Sequence, residues 1–145
     1  MQLSKQEIIV LRETFLFHHM SAGTYVDFSN QPHPGFVRQH YDAGAFIALP
    51  QETEHCIAIV ISGQLKAVRE PKFPDMQLQE GFVIGALDLF STLSPELPPI
   101  TALTDCDLLI ISASQVRELF DQYPEVMMRY ICFLTGQLHT MKWEH

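Results

Sequence analysis

The fold class is decided by six consecutive apolar residues, Cys56-Ile-Ala-Ile-Val-Ile61. Most of them are β-branched, which favours an extended strand over a helix. A strand with one face in water alternates apolar and polar residues, and this stretch does not alternate. Leu108-Leu-Ile-Ile111 repeats the same pattern later in the chain. We therefore expect two central strands that are covered on both faces.

Turn signals divide the sequence around these strands, from Ala22 to Ser112, into short apolar runs. The breaks include His33-Pro-Gly, Ser62-Gly and Glu80-Gly, and their regular spacing is typical of an antiparallel sandwich or roll. The sequence predicts a mainly β fold with flanking helices, a double-stranded β-helix (jelly roll) of about eight strands over residues 22–112. Residues 1–20 and 113–145 would be helical regions of the same single domain, which spans residues 1–145.

Two capping boxes mark where helices begin. Ser4 is followed three residues later by Glu7, and Ser112 is followed by Gln115 at the same spacing. The second of these helices should run through about Gln122. Pro124 suits the first turn of a long helix that closes the chain.

Two apolar stripes follow the predicted final helix. The first has the spacing of a coiled coil and comprises Met127, Ile131, Leu134, Leu138 and Met141. The second lies on another face and comprises Val126, Tyr130 and Phe133. We expect the first stripe to form a homodimer interface and the second to pack on the β-roll. The alternative is that one chain buries both stripes.

The composition indicates one compact domain with an acidic surface. The chain has 145 residues, of which 47% are apolar and 18% charged, and its formal net charge is −8. An acidic surface repels a phosphate backbone, so we expect no direct binding to nucleic acid. No apolar stretch approaches the roughly 20 residues of a membrane span, and the polar first residues lack the basic-then-apolar order of a secretion signal. We expect a cytoplasmic protein that does not bind membranes.

The three cysteines, Cys56, Cys106 and Cys132, lie far apart, each in an apolar run. Such isolated thiols argue against a disulfide framework, a zinc site or an iron–sulfur cluster. We expect buried structural cysteines.

The stretch Gly81-Phe-Val-Ile-Gly85-Ala-Leu-Asp-Leu-Phe90 resembles the phosphate-binding cassette of the Crp/Fnr family of bacterial transcription regulators. In that family a Gly-Glu-Leu tripeptide opens a short helix. Three further segments are similar to family features in the same order, namely Ile59–Gly63, Ala102–Ile111 and Pro124–Tyr130. The resemblance spans about Leu11 to Met141. It implies a cyclic-nucleotide-binding-like sensor domain for transcription regulation and signalling, which dimerises through its last helix.

The cassette departs from the nucleotide-binding pattern at three positions. In members that bind cyclic nucleotides, a glutamate after the cassette glycine holds the ribose hydroxyl. An arginine ten residues later pairs with the phosphate and is usually followed by Ser or Thr. The corresponding residues here are Ala86, Glu96 and Leu97. Alanine cannot accept a hydrogen bond from the ribose, glutamate repels the phosphate, and leucine offers no hydrogen bond. No Lys, Arg or His occurs between Phe73 and Val116. We expect a degenerate cassette that does not bind cyclic AMP usefully.

The resemblance also implies a ligand pocket between the cassette and the last helix. Its expected lining residues are Phe82, Gly85, Ala86, Leu87, Glu96, Leu97 and Met141. We expect it either to take a small apolar or uncharged effector or to be vestigial. The family's regulators continue into a winged helix-turn-helix domain that reads DNA. This sequence stops at His145, so we expect a sensor domain without the DNA-binding domain, whether that was removed or never present.

A cupin-like metalloenzyme, or another β-barrel that binds small molecules, is the alternative. Cupins need a His-x-His pair followed by a glutamate and another histidine, whereas only His55 lies shortly before Gly63. No spacing selects a haem ligand among His40, His55 and Met76. The sequence also has no nucleophile elbow and no glycine-rich phosphate loop. We expect no metal, no cofactor, no catalytic residues and no enzymatic activity.

Overall fold

The computed structural model describes residues 1–48, 55–68, 74–91 and 99–143, with side chains as far as residue 139. The helices in these segments are α1 (Lys5–Glu13), α2 (Ala22–Asn30), α3 (Ala113–Gln122) and α4 (Pro124–Trp143). The strands are β1 (Val37–Tyr41), β2 (Cys56–Ser62), β3 (Leu65–Ala67), β4 (Met76–Leu78), β5 (Val83–Ile84), β6 (Ile100–Ala102) and β7 (Cys106–Ser112). The described residues thus form a mainly β fold with flanking helices, as predicted. None of these helices is long and apolar enough to cross a lipid bilayer.

The strands pair into two antiparallel sheets. The larger sheet has the order β1-β7-β2-β5, and the smaller has the order β4-β3-β6. In the larger sheet Ala58 lies opposite Ile110, and Ile59 lies opposite Leu109. The two apolar runs of the sequence are therefore the inner strands of this sheet. Their residues are buried on both faces, which confirms the prediction.

Each face of the larger sheet contributes to a different part of the core. Ile57, Ile59 and Ile111 pack against the helices, whereas the alternating Ala58 and Val60 pack against the smaller sheet. Side chains two residues apart on a strand share a face, so one continuous apolar strand supplies both layers.

Both predicted capping boxes are present. Ser4 Oγ accepts a hydrogen bond from the Glu7 N–H at 3.1 Å, and Glu7 Oε1 accepts one from the Ser4 N–H at 2.6 Å. Ser112 and Gln115 form the same reciprocal pair at the start of α3. These bonds satisfy amide groups that a helix start otherwise leaves without partners.

The predicted start of the β region at Ala22 is wrong. Residues Ala22–Asn30 form helix α2, and the first strand begins at Val37. Ser21 Oγ caps α2 by accepting a hydrogen bond from the Thr24 N–H. Tyr25 and Phe28, three residues apart on one helical face, are buried in the core. Their aromatic residue types suggested a strand, but tertiary packing overrides so weak a local preference.

Helix α4 buries the second apolar stripe, as predicted. Val126 and Tyr130 lie in the core, and Phe133 stacks on Phe15 with ring centroids 4.4 Å apart. The expectation of buried cysteines is wrong for Cys132, although Cys56 and Cys106 are buried. Successive helical residues point in directions about 100° apart, and this rotation turns Cys132 away from the core.

Candidate functional site

A cavity of about 570 Å³ lies between the cassette, the smaller sheet and α4. The predicted lining residues Phe82, Gly85, Ala86 and Leu87 all contribute to its wall. The structure therefore brings together every predicted pocket residue whose side chain it describes. Glu96 and Leu97 lie outside the described residues, and so does the side chain of Met141.

The cassette backbone is held tightly against β2. Gly85 has φ of +86°, a conformation that favours glycine, and a Cβ at this position would lie 2.8 Å from the carbonyl oxygen of Cys56. Residues 85–90 form a series of turns rather than a regular helix. Nδ1 of His55 is hydrogen bonded to the backbone carbonyl of Asp88. The turn is thus fixed where it faces the cavity.

Helix α4 forms another wall of the cavity and is bonded directly to the cassette. Tyr130 Oη donates a 2.6 Å hydrogen bond to the carbonyl oxygen of Ala86, which is itself buried. Further along the same helix, Phe133 and Gln137 line the cavity. Burial raises the pKa of Tyr130, and the negative charge of Asp88 adds to the effect. The phenol therefore stays protonated and able to donate at physiological pH.

Three aromatic rings join the end of the cassette to both C-terminal helices. Phe90 lies 5.7 Å from Phe120 of α3 and 5.6 Å from Tyr130 of α4, measured between ring centroids. The guanidinium of Arg117 lies 5.5 Å from the Phe90 centroid, within the range of a cation–π contact. Movement of the cassette would therefore strain contacts with α3 and α4.

The electrostatics of the cavity are acidic. Asp88 carries the one ionisable side chain among the described lining residues, so the described wall contains no cation. Arg129 of α4 lines a different cleft, together with Glu13 and Cys132. Among the described residues, nothing in the wall offers a positive charge to a phosphate.

The sequence did not predict several of the lining residues, including Phe15, Asp88, Phe133 and Gln137. Asp88 lies within the quoted cassette, and Gln137 follows Phe133 by about one helical turn. These positions in the sequence could have indicated that Asp88 and Gln137 face the cavity. Phe15 gave none, because its approach to the cassette depends on how α1 packs.

The predicted dimer stripe is exposed over most of its described length. Met127, Ile131 and Leu138 are 40%, 46% and 66% exposed. Leu134 is half-buried and packs against the core of its own chain. The two stripes therefore overlap at Leu134, and the exposed apolar face is centred on Ile131 and Leu138.

The ligands expected for a metalloenzyme do not converge on the cavity. Among the described residues, one group of three or more metal-ligating side chains lies close together: His40, Asp42 and Asp105. All three are exposed, and none lines the cavity. His55 belongs to no such group in the described part of the chain. This geometry gives no support to the cupin-like alternative.

The family model described as "Cyclic nucleotide-binding domain" matches residues 38–123, more than half of the chain. The chain belongs to the cyclic nucleotide-binding domain family. The match covers the strands, the cassette and α3, and so includes most of the residues that position the cavity. Among curated proteins, no sequence matches this domain.

Solved structures share the fold at low sequence identity. The N-terminal domain of a transcriptional regulator from Streptomyces coelicolor is 20% identical, with a TM-score of 0.66 and 92% of each chain covered. The catabolite activator protein of Thermus thermophilus is 20% identical, with a TM-score of 0.70, and the match covers 90% of this chain and 61% of that chain. The regulatory domain of Toxoplasma gondii PKA, solved with cAMP, is 19% identical, with a TM-score of 0.59 and coverage of 79% and 43%. The cyclic nucleotide-binding domain described above is thus similar to domains of transcription regulators.

Proposed function

We propose that this chain is an effector-sensing domain of a cytoplasmic Crp-type transcription regulator, that it has no catalytic activity, and that it does not bind cyclic AMP usefully. The observation that carries the proposal is Ala86, which is buried in the cavity wall. The resemblance to the family cassette assigns this position to the glutamate of nucleotide-binding members. A methyl group cannot accept a hydrogen bond from a ribose hydroxyl. The backbone carbonyl of Ala86 is already bonded to Tyr130.

The charge of the cavity supports the same proposal. A cyclic nucleotide carries a phosphate, and burying an unpaired anion is costly. The charged group in the described wall is the carboxylate of Asp88, which repels a phosphate. The dipole of a regular helix contributes about 0.3–1 kcal/mol at an exposed site, and residues 85–90 form turns rather than such a helix. That is too little to replace an arginine.

Helix α4 both lines the cavity and carries the exposed apolar stripe, and this supports a regulatory role. Phe133 and Gln137 face the cavity, while Ile131 and Leu138 form the exposed stripe on another side of the same helix. We propose that this stripe forms a homodimer. A ligand that shifts α4 would then alter the dimer. We propose that this domain itself contacts neither nucleic acid nor a membrane. A small apolar or uncharged effector fits the apolar wall better than a nucleotide does.

Isothermal titration calorimetry with cyclic AMP and cyclic GMP tests the proposal. We expect no binding tighter than about 1 mM, which corresponds to about −4 kcal/mol. A thermal unfolding curve measured on the same sample confirms that the protein is folded. A micromolar dissociation constant for either nucleotide would overturn the proposed function.

A further inference from the structure

The wall of the cavity is suited to a small hydrophobic molecule. Its volume of about 570 Å³ falls within the roughly 300–1,000 Å³ common for small-molecule sites. Large apolar side chains come from Leu78 of β4, from Phe82 in the turn before β5 and from Phe133 of α4. Phe82 lines the cavity rather than filling it, so the described part of the site has room for a ligand.

Two polar side chains interrupt this apolar wall, and neither has a partner among the described residues. Asp88 in the cassette and Gln137 on α4 are both half-buried. The side-chain oxygens of Asp88 accept no hydrogen bond, and the amide of Gln137 makes none, within the described part of the chain. Polar groups that face a cavity without protein partners are available to orient a ligand.

The chemistry of these two groups selects the ligand. An ionised carboxylate accepts hydrogen bonds and donates none, so the matching group on the ligand must be a donor. No Lys, Arg or His occurs between residues 73 and 116, while Asp75, Glu80 and Asp105 add negative charge to the same segment. The chain as a whole has a formal net charge of −8. This field favours a cationic donor over a neutral one and disfavours an anion.

We infer that the cavity binds a hydrophobic amine, with its protonated amino group held by the Asp88 carboxylate and a second contact to the Gln137 amide. The inference rests on the proposed function, because it assigns an effector to the same sensor cavity. It replaces the apolar or uncharged effector named there with one that carries a positive charge at one end of a hydrophobic body. Contact with Gln137 would also connect the ligand directly to α4.

Three probes with one hydrophobic body test the charge preference: 4-phenylbutylamine, 4-phenylbutan-1-ol and 4-phenylbutanoate. Each is titrated into the full chain at pH 7 by calorimetry, with cyclic AMP as a fourth titrant. We expect the amine to bind about tenfold more tightly than the alcohol, because a charge-assisted hydrogen bond is stronger than a neutral one. We expect the carboxylate to bind most weakly. Added salt should weaken the binding of the amine and leave the binding of the alcohol unchanged.

The variant Asp88→Asn and the control Asp105→Asn remove the same charge from the same acidic segment. Asp105 does not line the cavity. Asp88→Asn should reduce the affinity for the amine to that of the alcohol, and Asp105→Asn should leave the order of the three probes unchanged. Circular dichroism confirms that both variants are folded.

The outcomes separate the inference from the proposed function. Equal affinities for the three probes, preference for the carboxylate, or no binding of any probe would each overturn the hydrophobic-amine assignment. An equal effect of both variants would overturn the role of Asp88. Micromolar binding of cyclic AMP would instead overturn the proposed function, whatever the probes do.

Discussion

The hydroxyl of Tyr130 donates a 2.6 Å hydrogen bond to the backbone carbonyl of Ala86. Tyr130 lies on α4, and Ala86 lies in the cassette 44 residues earlier. Both residues are 4% exposed, so water cannot replace the bond. This contact joins the wall of the cavity to the helix that carries the exposed stripe.

Tyr130→Phe should lower the free energy of unfolding by about 1–3 kcal/mol, because it leaves the buried carbonyl of Ala86 without a donor. Chemical denaturation measures the change. The matched control is Tyr41→Phe, which removes a 3.2 Å bond to the carbonyl of Ala48 in an exposed setting. The control should change stability by less than about 0.5 kcal/mol. Equal losses in the two variants would contradict the importance of the Tyr130 bond.

The triple variant Ala86→Glu, Glu96→Arg, Leu97→Ser should gain measurable affinity for cyclic AMP. It restores a ribose acceptor, a phosphate partner and a hydroxyl at the three positions of the family pattern. The gain should weaken with salt, because part of it is ionic. The double variant that keeps Ala86 should gain less. A folded triple variant that stays inert would show that the alignment of these positions is wrong.

The exposed stripe on α4 predicts a homodimer. Multi-angle light scattering at tens of micromolar should give the mass of a dimer for the wild-type chain. Ile131→Glu or Leu138→Glu should give the mass of a monomer, because an unpaired charge in an apolar interface is strongly unfavourable. Cys132→Glu adds the same charge at an exposed position outside the stripe and should remain dimeric. Leu134→Glu is a poorer test, since Leu134 also packs on the core of its own chain. A monomeric wild-type chain would refute the prediction.

His33 and His40 should titrate on opposite sides of the ordinary value of 6.5. Burial against Phe28 and Phe36 lowers the pKa of His33. Hydrogen bonds to Asp107 at 2.8 Å and to Asp42 at 3.2 Å raise the pKa of His40. NMR titration of the imidazole resonances measures both values. Asp107→Asn should lower the pKa of His40, whereas Asp121→Asn, an exposed change on α3, should not.

The two histidines have opposite effects on stability. The stabilisation from His33 is present above pH 6.5 and is lost as the pH falls from there towards its lowered pKa. The stabilisation from His40 is present below pH 6.5 and is lost as the pH rises through its raised pKa. His33→Gln should therefore reduce the loss of stability between neutral and mildly acidic pH. An unchanged pH dependence in that variant would contradict the assignment.

Glu7→Gln should destabilise the fold by about 1–2 kcal/mol at neutral pH, because Glu7 both caps α1 and binds Arg38. Its oxygens lie 2.7 Å from Nε and Nη2 of Arg38. Burial alone would raise the pKa of Glu7, but hydrogen bonds from Arg38 and Ser4 outweigh it and hold the pKa below 4.5. The stabilisation is thus present above pH 4.5 and is lost as the pH falls through the lowered pKa. Urea denaturation at pH 7 and in acid should show the difference from wild type shrinking, and the exposed control Glu13→Gln should show no difference.

The parts of the fold that the sequence predicted correctly depend on short-range patterns. The capping boxes at Ser4 and Ser112 each need two residues three positions apart, and the inner strands β2 and β7 are continuous apolar runs. The resemblance to family motifs located Phe82 and Ala86 in the cavity wall. The prediction for Ala22 to Asn30 was wrong because aromatic residues locally favour a strand. The helix there depends on packing of Phe28 against Phe17 and Tyr123.

By itself, the sequence determined the capped helices, the buried strands and the acidic charge. Each of these follows from residue type and from neighbours within a few positions. Tertiary structure alone decided that Phe15, Asp88 and Gln137 line one cavity. It also decided that Leu134, a residue of the predicted dimer stripe, packs against the core of its own chain. Those relationships join segments far apart in the chain, and they depend on how helices and sheets pack. Local patterns of residues do not specify contacts between such distant segments.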